Sequence, residues 1–278
     1  MTPSREVSRR AVLLGALGAA ATASGLTGCG GDNESPNGAA TDAHSDTERR
    51  APVTEGSFAS RYRQTEVQWG LAAPRGVEPA DLPVLLYLHG LGGDHRVPFD
   101  YLHLDRDLQA WADDGGSPYA VATIDGGTDW WKPLPDGTDA GRMLVDEYLP
   151  LLSDHGLDVD RLAVGGASMG GYGALRLAGS DEVSVRCVSA VAPALGDPIA
   201  RSGLLSDVSQ HPELLRGVPV QLAVGEADDF RTVDLAYADA LRQAGVTITS
   251  STYPGGHSRD AMQVFSPQVI AFAGAHLT

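Results

Sequence analysis

A serine flanked by glycines in the segment 165–175 is the feature of this chain that most directly indicates chemistry. Gly166, Ser168 and Gly170 form a Gly-x-Ser-x-Gly pattern, which is typical of a nucleophile on a sharp turn from a strand into a helix. The apolar run before it predicts a buried strand, and Gly173–Ala178 predicts the start of a helix. Glycines are needed there because side chains would collide with the crossing strand and helix. The spacing therefore predicts that Ser168 is a nucleophile.

A serine hydroxyl is a weak nucleophile at neutral pH, so Ser168 needs a histidine to accept its proton and an acid to orient that histidine. For this kind of turn the order along the chain is serine, acid, histidine, which leaves His211 and His257 as candidates before the last predicted helix. His257 follows a predicted strand and a Pro-Gly-Gly turn, whereas His211 precedes a proline in a polar segment. We predict that His257 is the general base and that His276 only ends a helix.

Three aspartates are candidates for the acid. Asp228 lies three residues past Gly225, the end of an apolar run, and its carboxylate could hold the imidazole in the tautomer that leaves Nε2 free for the serine. Asp229 is the nearest alternative, and Asp197 follows the preceding strand region. Asp228 and Asp229 are also suited to capping the helix that begins nearby. We predict Asp228 as the acid and keep the other two aspartates open.

An oxyanion that develops during attack by the serine needs backbone N–H donors. The N–H of Met169, at the positive end of the predicted helix, is one candidate. The glycine-rich loop 89–93, of sequence His-Gly-Leu-Gly-Gly, lets N–H groups point inward, and we predict Leu91 N–H as the second donor. His89 is expected to be a hydrogen-bonded scaffold residue.

Two adjacent tryptophans, Trp130 and Trp131, follow the predicted strand Ala120–Ile124. Flanking glycine and proline favour exposure of these rings, and aromatic platforms suit sugar rings or aryl acyl groups. We predict that both tryptophans bind substrate. The alternative is that one of them packs beneath its loop.

The elements that must position these residues alternate along the chain. Apolar runs of strand length predict strands over Val84–Leu88, Ala120–Ile124, Leu162–Gly165, Cys187–Val191, Val220–Val224 and Val246–Thr252. Periodic segments between and after them predict helices over Leu102–Ala112, Arg142–Leu152, Gly173–Ala178, Val233–Ala244 and Ala261–His276. This alternation indicates an α/β fold with a mostly parallel sheet and helices on both faces. Such a sheet carries its working residues beyond the carboxyl ends of the strands.

The N-terminal residues indicate export rather than a folded element. Residues 1–28 contain Ser-Arg-Arg and then an apolar run, as in a twin-arginine signal peptide, and the sequence ending at Cys29 resembles a lipobox in which that cysteine is lipidated. Residues 29–57 are largely polar and predict a flexible tether. Residues 58–278 are then long enough to form one domain with a single large core. We expect an exported protein that is lipid-anchored to the outer face of the cell membrane.

Charge and composition bear on the classes of partner that the protein could bind. The formal charge of the whole chain is −16, and removal of three arginines and one glutamate with residues 1–28 leaves 17 basic and 35 acidic residues. Lys132 is the only lysine, so nucleic acid is not an expected partner. Of the two cysteines, Cys187 lies in an apolar strand pattern and is predicted to be a buried small hydrophobe. No metal and no cofactor are expected.

Three segments together carry a resemblance to a known family: Gly166-Ala-Ser-Met-Gly-Gly-Tyr-Gly-Ala-Leu175, Gly225-x-x-Asp228-x-Phe230 and Gly256-His-Ser258. The chain resembles the α/β-hydrolase esterases that include esterase D, feruloyl and acetylxylan esterases and mycolyl transferases. The resemblance implies an α/β-hydrolase fold and a serine esterase that acts on small-molecule or carbohydrate esters through an acyl-enzyme. Alternatives are an acyltransferase to a sugar or other alcohol, a serine peptidase of the same fold, and a non-catalytic lipid-anchored binding protein.

Overall fold

The computed structural model of the protein describes residues 49–195 and 206–278. The predicted signal peptide 1–28, the predicted lipidation site Cys29, the tether up to residue 48 and the alternative acid Asp197 all lie outside these residues. None of the helices within the described ranges has the length and apolar character that are needed to cross a bilayer.

The described residues form an eight-stranded sheet with the strand order β1-β2-β4-β3-β5-β6-β7-β8. Strand β2 runs antiparallel to both β1 and β4, and every other neighbouring pair is parallel. The carboxyl ends of β3 to β8 therefore meet at one edge of the sheet. The strands are β1 Val53–Ser60, β2 Thr65–Ala72, β3 Pro83–Leu88, β4 Ala120–Ile124, β5 Asp158–Ala167, β6 Cys187–Val191, β7 Val220–Gly225 and β8 Ile248–Tyr253.

The helices that connect these strands lie on both faces of the sheet. They are α1 Val97–Asp100, α2 Leu104–Asp113, α3 Ala140–Met143, α4 Leu149–Asp154, α5 Met169–Ala178, α6 Ser206–Gln210, α7 Arg231–Gln243, α8 Arg259–Gln263 and α9 Ser266–His276. A π-helical turn over Leu144–Tyr148 joins α3 to α4, and a 3-10 turn over Pro212–Leu215 follows α6.

Two separate apolar cores follow from the alternation of side chains along the central strands. Leu86 of β3 packs in one core with Leu175 of α5, whereas its neighbour Tyr87 packs in the other core with Leu108 of α2 and Ile270 of α9. All six residues of β3 are buried, as expected for a strand covered on both faces. The predicted α/β architecture, with a mostly parallel sheet between helical layers, is confirmed.

The predicted boundary of the domain at residue 58 is wrong. Strand β1 begins at Val53, Ala51 is 3% exposed, and Arg50 forms an ion pair with Asp105 at 2.8 Å. As the edge strand, β1 pairs with β2 on one side only and exposes most of its side chains, so its composition is as polar as that of a tether. Backbone pairing, which a composition argument does not detect, orders this segment.

The single helix predicted over Ala261–His276 is also wrong, because the chain forms α8 and α9 with a break between them. Pro267 lies in the first turn of α9, where a residue without an N–H is tolerated. The helical period continues across the break, so periodicity alone did not detect it.

The prediction for Cys187 is confirmed: it is a free cysteine, 1% exposed, and burial raises the pKa of its thiol to about 12.

Candidate active site

Ser168 occupies a strained backbone conformation between β5 and α5. Its φ is +56° and its ψ is −120°, a region that non-glycine residues rarely adopt. Three backbone hydrogen bonds hold it there: Ser168 N–H donates to Val191 O at 2.9 Å, and Tyr172 and Ala194 each donate to Ser168 O at 3.1 Å. The neighbouring strand β6 and the first turn of α5 therefore fix the position of the hydroxyl.

The two glycines of the motif are required by the close crossing of backbones. A Cβ at Gly166 would lie under 3.0 Å from the backbone of Gly170, and a Cβ at Gly170 would lie under 3.0 Å from the carbonyl group of Leu88. Atoms that belong to backbone cannot move aside as a flexible side chain can. The predicted strand-to-helix turn is thus present, and both glycines have the predicted steric reason.

Ser168, His257 and Asp228 are brought together in one chain of hydrogen bonds. Ser168 Oγ lies 2.8 Å from His257 Nε2, and His257 Nδ1 lies 2.8 Å from Asp228 Oδ2. Because a carboxylate only accepts, Nδ1 carries the proton and Nε2 is free to accept from the serine hydroxyl. The side chain of Asp228 is fully buried, whereas that of His257 is 31% exposed. This arrangement can move the hydroxyl proton onto the imidazole and stabilise the imidazolium that results.

The loops that carry the acid and the histidine are joined to each other. Glu226 N–H donates to Tyr253 O and Ala227 N–H donates to Gly255 O, both at 2.9 Å. These bonds fix the segment after β7 against the segment after β8. The distance between the two functional side chains is therefore set by backbone pairing.

Two further contacts orient the acid and the imidazole. Asp228 Oδ1 accepts from Phe230 N–H at 2.9 Å, which leaves Oδ2 for the imidazole. The ring of Phe230 meets that of His257 edge to face, with centroids 4.9 Å apart. A hydrogen bond on one side and an aromatic ring on another therefore orient the imidazole.

The alternatives kept open from the sequence lie elsewhere or outside the described residues. Asp229 is exposed and contributes no bond to the histidine. His211 is exposed and faces Glu213 with Nδ1 3.1 Å from Oε1, and His276 ends α9, as expected. Within the described ranges, Asp228 and His257 are thus the pair that reaches the serine.

The glycine-rich loop after β3 lies directly beside the serine. A Cβ at Gly90 would lie 3.2 Å from Ser168 Cβ, and Gly92 adopts a φ of +72°. Gly93 N–H donates to Gly90 O at 3.0 Å and closes the turn. In the part of the chain that the structure describes, neither Leu91 N–H nor Met169 N–H donates to a protein acceptor. Both groups are free to donate, and their role as oxyanion donors stays a prediction.

His89 holds the glycine-rich loop through its imidazole, and the prediction that it is a hydrogen-bonded scaffold residue is confirmed. It is 1% exposed, its Nε2 accepts from Gly126 N–H at 2.9 Å, and its Nδ1 lies 2.8 Å from Gly90 O. Since the amide of Gly126 can only donate, Nδ1 carries the proton and donates to the loop carbonyl. The imidazole therefore couples the loop beside Ser168 to the segment after β4.

The prediction that Trp130 and Trp131 form an exposed substrate platform is wrong. Trp130 is 5% exposed and Trp131 is 1% exposed, and both belong to a core cluster. Trp131 occupies space that is left open by the missing side chains of Gly126 and Gly173, where a Cβ would collide with its ring. Burial of these large apolar rings stabilises the fold, and one of the two glycines that leave room for Trp131, Gly173, is distant in sequence.

A cavity of about 190 Å³ opens beside the serine hydroxyl. Ser168, His257 and Leu91 lie along it together with Arg259. Its remaining wall is largely apolar and includes the side chains of Tyr87, Val97, Pro98, Leu102 and Met262. This space can hold a short uncharged group next to the nucleophile.

Asp234 is a buried carboxyl near the site that the sequence analysis did not identify. It lies in the first turn of α7, is 0% exposed, and neither oxygen has a hydrogen-bond partner among the described residues. Burial, and to a smaller extent the charge of Asp228, raise the pKa of Asp234 to about 9. A signal was present: Asp234 shares a helical stripe with Tyr237, Ala238 and Leu241, all of them buried.

Comparison with known proteins places this geometry in a known fold. No protein-family model matches the chain. A stretch of 147 residues is 29% identical to acyl-protein thioesterase 1 of Neurospora crassa and covers 50% of this chain. The match spans 58% of that relative, which is less than two thirds of its length.

Similar solved structures include a ferulic acid esterase, with a TM-score of 0.74, 20% identity and coverage of 81% of this chain and 98% of that one. An S-formylglutathione hydrolase from Agrobacterium tumefaciens gives a TM-score of 0.68 at 18% identity, over 81% and 95% of the two chains. A thermostable esterase from Pseudomonas putida gives 0.64 at 22% identity, over 90% and 93%. The chain has the α/β-hydrolase fold that these structures share.

Proposed function

We propose that the protein is a serine esterase that hydrolyses carboxylic esters in two steps. Ser168 Oγ bonds to the ester carbonyl carbon while its proton passes to His257 Nε2, and the N–H groups of Leu91 and Met169 stabilise the oxyanion. The bond to the leaving oxygen then breaks, and His257 gives that oxygen the proton. Water repeats the sequence on the acyl-enzyme and releases the acid, with Asp228 holding the imidazole throughout.

The observation that carries this proposal is the continuous hydrogen-bond chain from Ser168 through His257 to Asp228, with both bonds at 2.8 Å. A binding protein without catalytic function would have no need of a nucleophile in a strained conformation that stores of the order of 1–3 kcal/mol. The three residues also follow three different parallel strands, β5, β7 and β8, at the edge where such sheets carry their sites.

Hydrolysis is favoured over acyl transfer to an alcohol by the access of water to the base. The side chain of His257 is 31% exposed, so water can reach the imidazole that must activate it. A transferase has to exclude water from the acyl-enzyme to protect it from hydrolysis. Transfer to a sugar hydroxyl remains the second candidate, and the ratio of acid to ester products in the presence of an acceptor alcohol distinguishes the two.

Covalent labelling tests the assigned nucleophile directly. A fluorophosphonate forms an Oγ–phosphorus bond with an activated serine and releases fluoride, so we expect one label per chain at Ser168, read by peptide mass spectrometry. The Ser168→Ala variant should take up no label, whereas Ser180→Ala, which removes a serine two residues after α5, should be labelled as fully as the wild type. Label on any other serine would contradict the assignment.

We also propose that the protein is exported and anchored to the outer face of the membrane through lipid on Cys29. A lipid chain stabilises membrane association by about 0.8 kcal/mol per buried methylene, so Cys29→Ala should move the protein from the membrane to the soluble fraction of cells. Cys187→Ala, which removes the other cysteine, should leave it in the membrane fraction. Equal membrane retention of both variants would contradict the anchor.

A further inference from the structure

One cation lies at the rim of the cavity beside the nucleophile. Arg259 is exposed and lines that cavity together with Ser168 and His257. Its guanidinium carbon lies 4.6 Å from the centroid of the Tyr101 ring, and its Nη2 donates to Gly92 O at 3.5 Å. The contact with an aromatic face and the bond to the glycine-rich loop 89–93 hold the guanidinium at the cavity.

The charge of Arg259 is not neutralised by the protein. Over residues 49–195 and 206–278 it forms no ion pair with a carboxylate, in contrast to Arg96 on the same side of the sheet, which pairs with Glu55 at 2.6 Å. The whole chain carries a formal charge of −16. A guanidinium without a carboxylate partner can attract an anion to the mouth of the cavity, even on a protein that is acidic as a whole.

The interior of the same cavity is unsuited to charge. Away from the Leu91 N–H, its apolar wall would leave an anion desolvated without a partner, at a cost of several kcal/mol. An uncharged acyl group of a few carbons fits about 190 Å³ and would lie inside, next to Ser168 Oγ. The other half of the ester, the leaving alcohol or thiol, then projects through the mouth past Arg259.

We infer that Arg259 binds a carboxylate on the leaving group, so that the preferred substrates are esters of a short uncharged acid with an anionic alcohol or thiol. The planar guanidinium can meet a carboxylate with two parallel N–H···O bonds, which a point charge cannot do. This inference rests on the proposed esterase function and adds to it the class of substrate.

Two acetate esters that differ in one charge test the inference: 4-acetoxybenzoate and its methyl ester. The measurement is the ratio of kcat/KM for release of the phenol from the anionic and the neutral ester. Dividing the ratio in a variant by that in the wild type cancels the intrinsic reactivities of the two esters. We expect Arg259→Gln to lower the ratio by about 10- to 100-fold, as for loss of a charge-assisted hydrogen bond.

Arg259→Lys should restore part of the ratio, because charge is kept while the paired geometry is lost. Arg242→Gln, which removes an exposed arginine of α7 that pairs with Asp239, should leave the ratio unchanged. An unchanged ratio in Arg259→Gln would overturn the inference.

Binding separates this inference from the proposed function. In the Ser168→Ala background, calorimetry with uncleaved 4-acetoxybenzoate should give a dissociation constant about 10-fold higher when Arg259 is also replaced by glutamine. The methyl ester should show a much smaller change. If the wild type hydrolysed neither ester, the esterase proposal would fail, and these dissociation constants would still decide whether Arg259 recognises the anion.

Discussion

Replacing Ser168 with alanine is expected to lower kcat/KM for p-nitrophenyl acetate by about 10⁵-fold or more. The variant removes the atom that would form the acyl-enzyme and that lies 2.8 Å from His257 Nε2. Alanine keeps the backbone N–H and C=O that form the hydrogen bonds of residue 168. The thermal midpoint of unfolding should therefore stay within about 2 °C of the wild type. Initial rates and a thermal melt on the same samples check both statements.

The same argument predicts that the three residues act as one unit. His257→Ala should lower kcat/KM about as much as Ser168→Ala does. The double variant should lower kcat/KM no further than either single variant, since each removes the same proton transfer.

Asp228→Asn should lower kcat by about 10⁴-fold, because an amide stabilises the wrong imidazole tautomer. Asp229→Asn, an exposed neighbour, serves as the matched control and should stay within about 2-fold of the wild type.

Independent, additive losses in the double variant would contradict a shared proton transfer. A large loss in Asp229→Asn with little change in Asp228→Asn would reassign the acid. Either result would be hard to reconcile with the bond of 2.8 Å between Asp228 Oδ2 and His257 Nδ1.

The residues of the site were predictable from the sequence to the extent that their requirements are local. A nucleophile on a tight turn requires Gly166 and Gly170 whatever the rest of the protein does, and the order serine, acid, histidine restricts the search to the segment that follows. Some strand ends were equally local, since β4 and β6 have the predicted bounds, whereas β5 extends beyond the predicted run at both ends. An apolar run between polar residues determines both the strand and the position of the loop that follows.

The errors concern properties that depend on distant parts of the chain. Whether Trp131 is exposed or buried is decided by Gly126 and Gly173, one of them on a different element, which leave space for its ring. Residues 53–57 form part of a strand because their backbone pairs with β2, since the side chains of β1 are mostly exposed. No window of sequence contains that information, so composition predicted a tether and an exposed platform.

Asp234 was missed for a related reason, since a carboxyl on a helix is normally at the surface. Its position six residues after Asp228 brings a second carboxyl close to the acid of the site, where its charge would oppose that of the first. Burial keeps Asp234 protonated at neutral pH, with a pKa raised to about 9. The difference between the pKa of Asp234 in the folded and the unfolded chain therefore has a measurable effect on stability.

Replacing Asp234 with asparagine is expected to stabilise the protein increasingly as the pH rises from 5 to 8. The pKa of Asp234 is about 9 when folded and near its ordinary value of 3.8 when unfolded. Below that ordinary value both states are protonated and no penalty exists. Above it the unfolded carboxyl ionises while the folded one stays protonated, so the wild type loses up to about 1.4 kcal/mol per pH unit. The loss levels off once the pH passes about 9, where the folded carboxyl ionises as well.

Urea unfolding at pH 5, 6, 7 and 8 measures this effect as a difference between variant and wild type, in which all other titrating groups cancel. The free energy of unfolding of Asp234→Asn minus that of the wild type should rise by a few kcal/mol across the series. Asp239→Asn removes an aspartate of the same helix whose side chain is 68% exposed, so its difference from the wild type should not change over the same range. A flat difference for Asp234→Asn would mean that the carboxyl is ionised in the folded protein, which would contradict a pKa raised by burial.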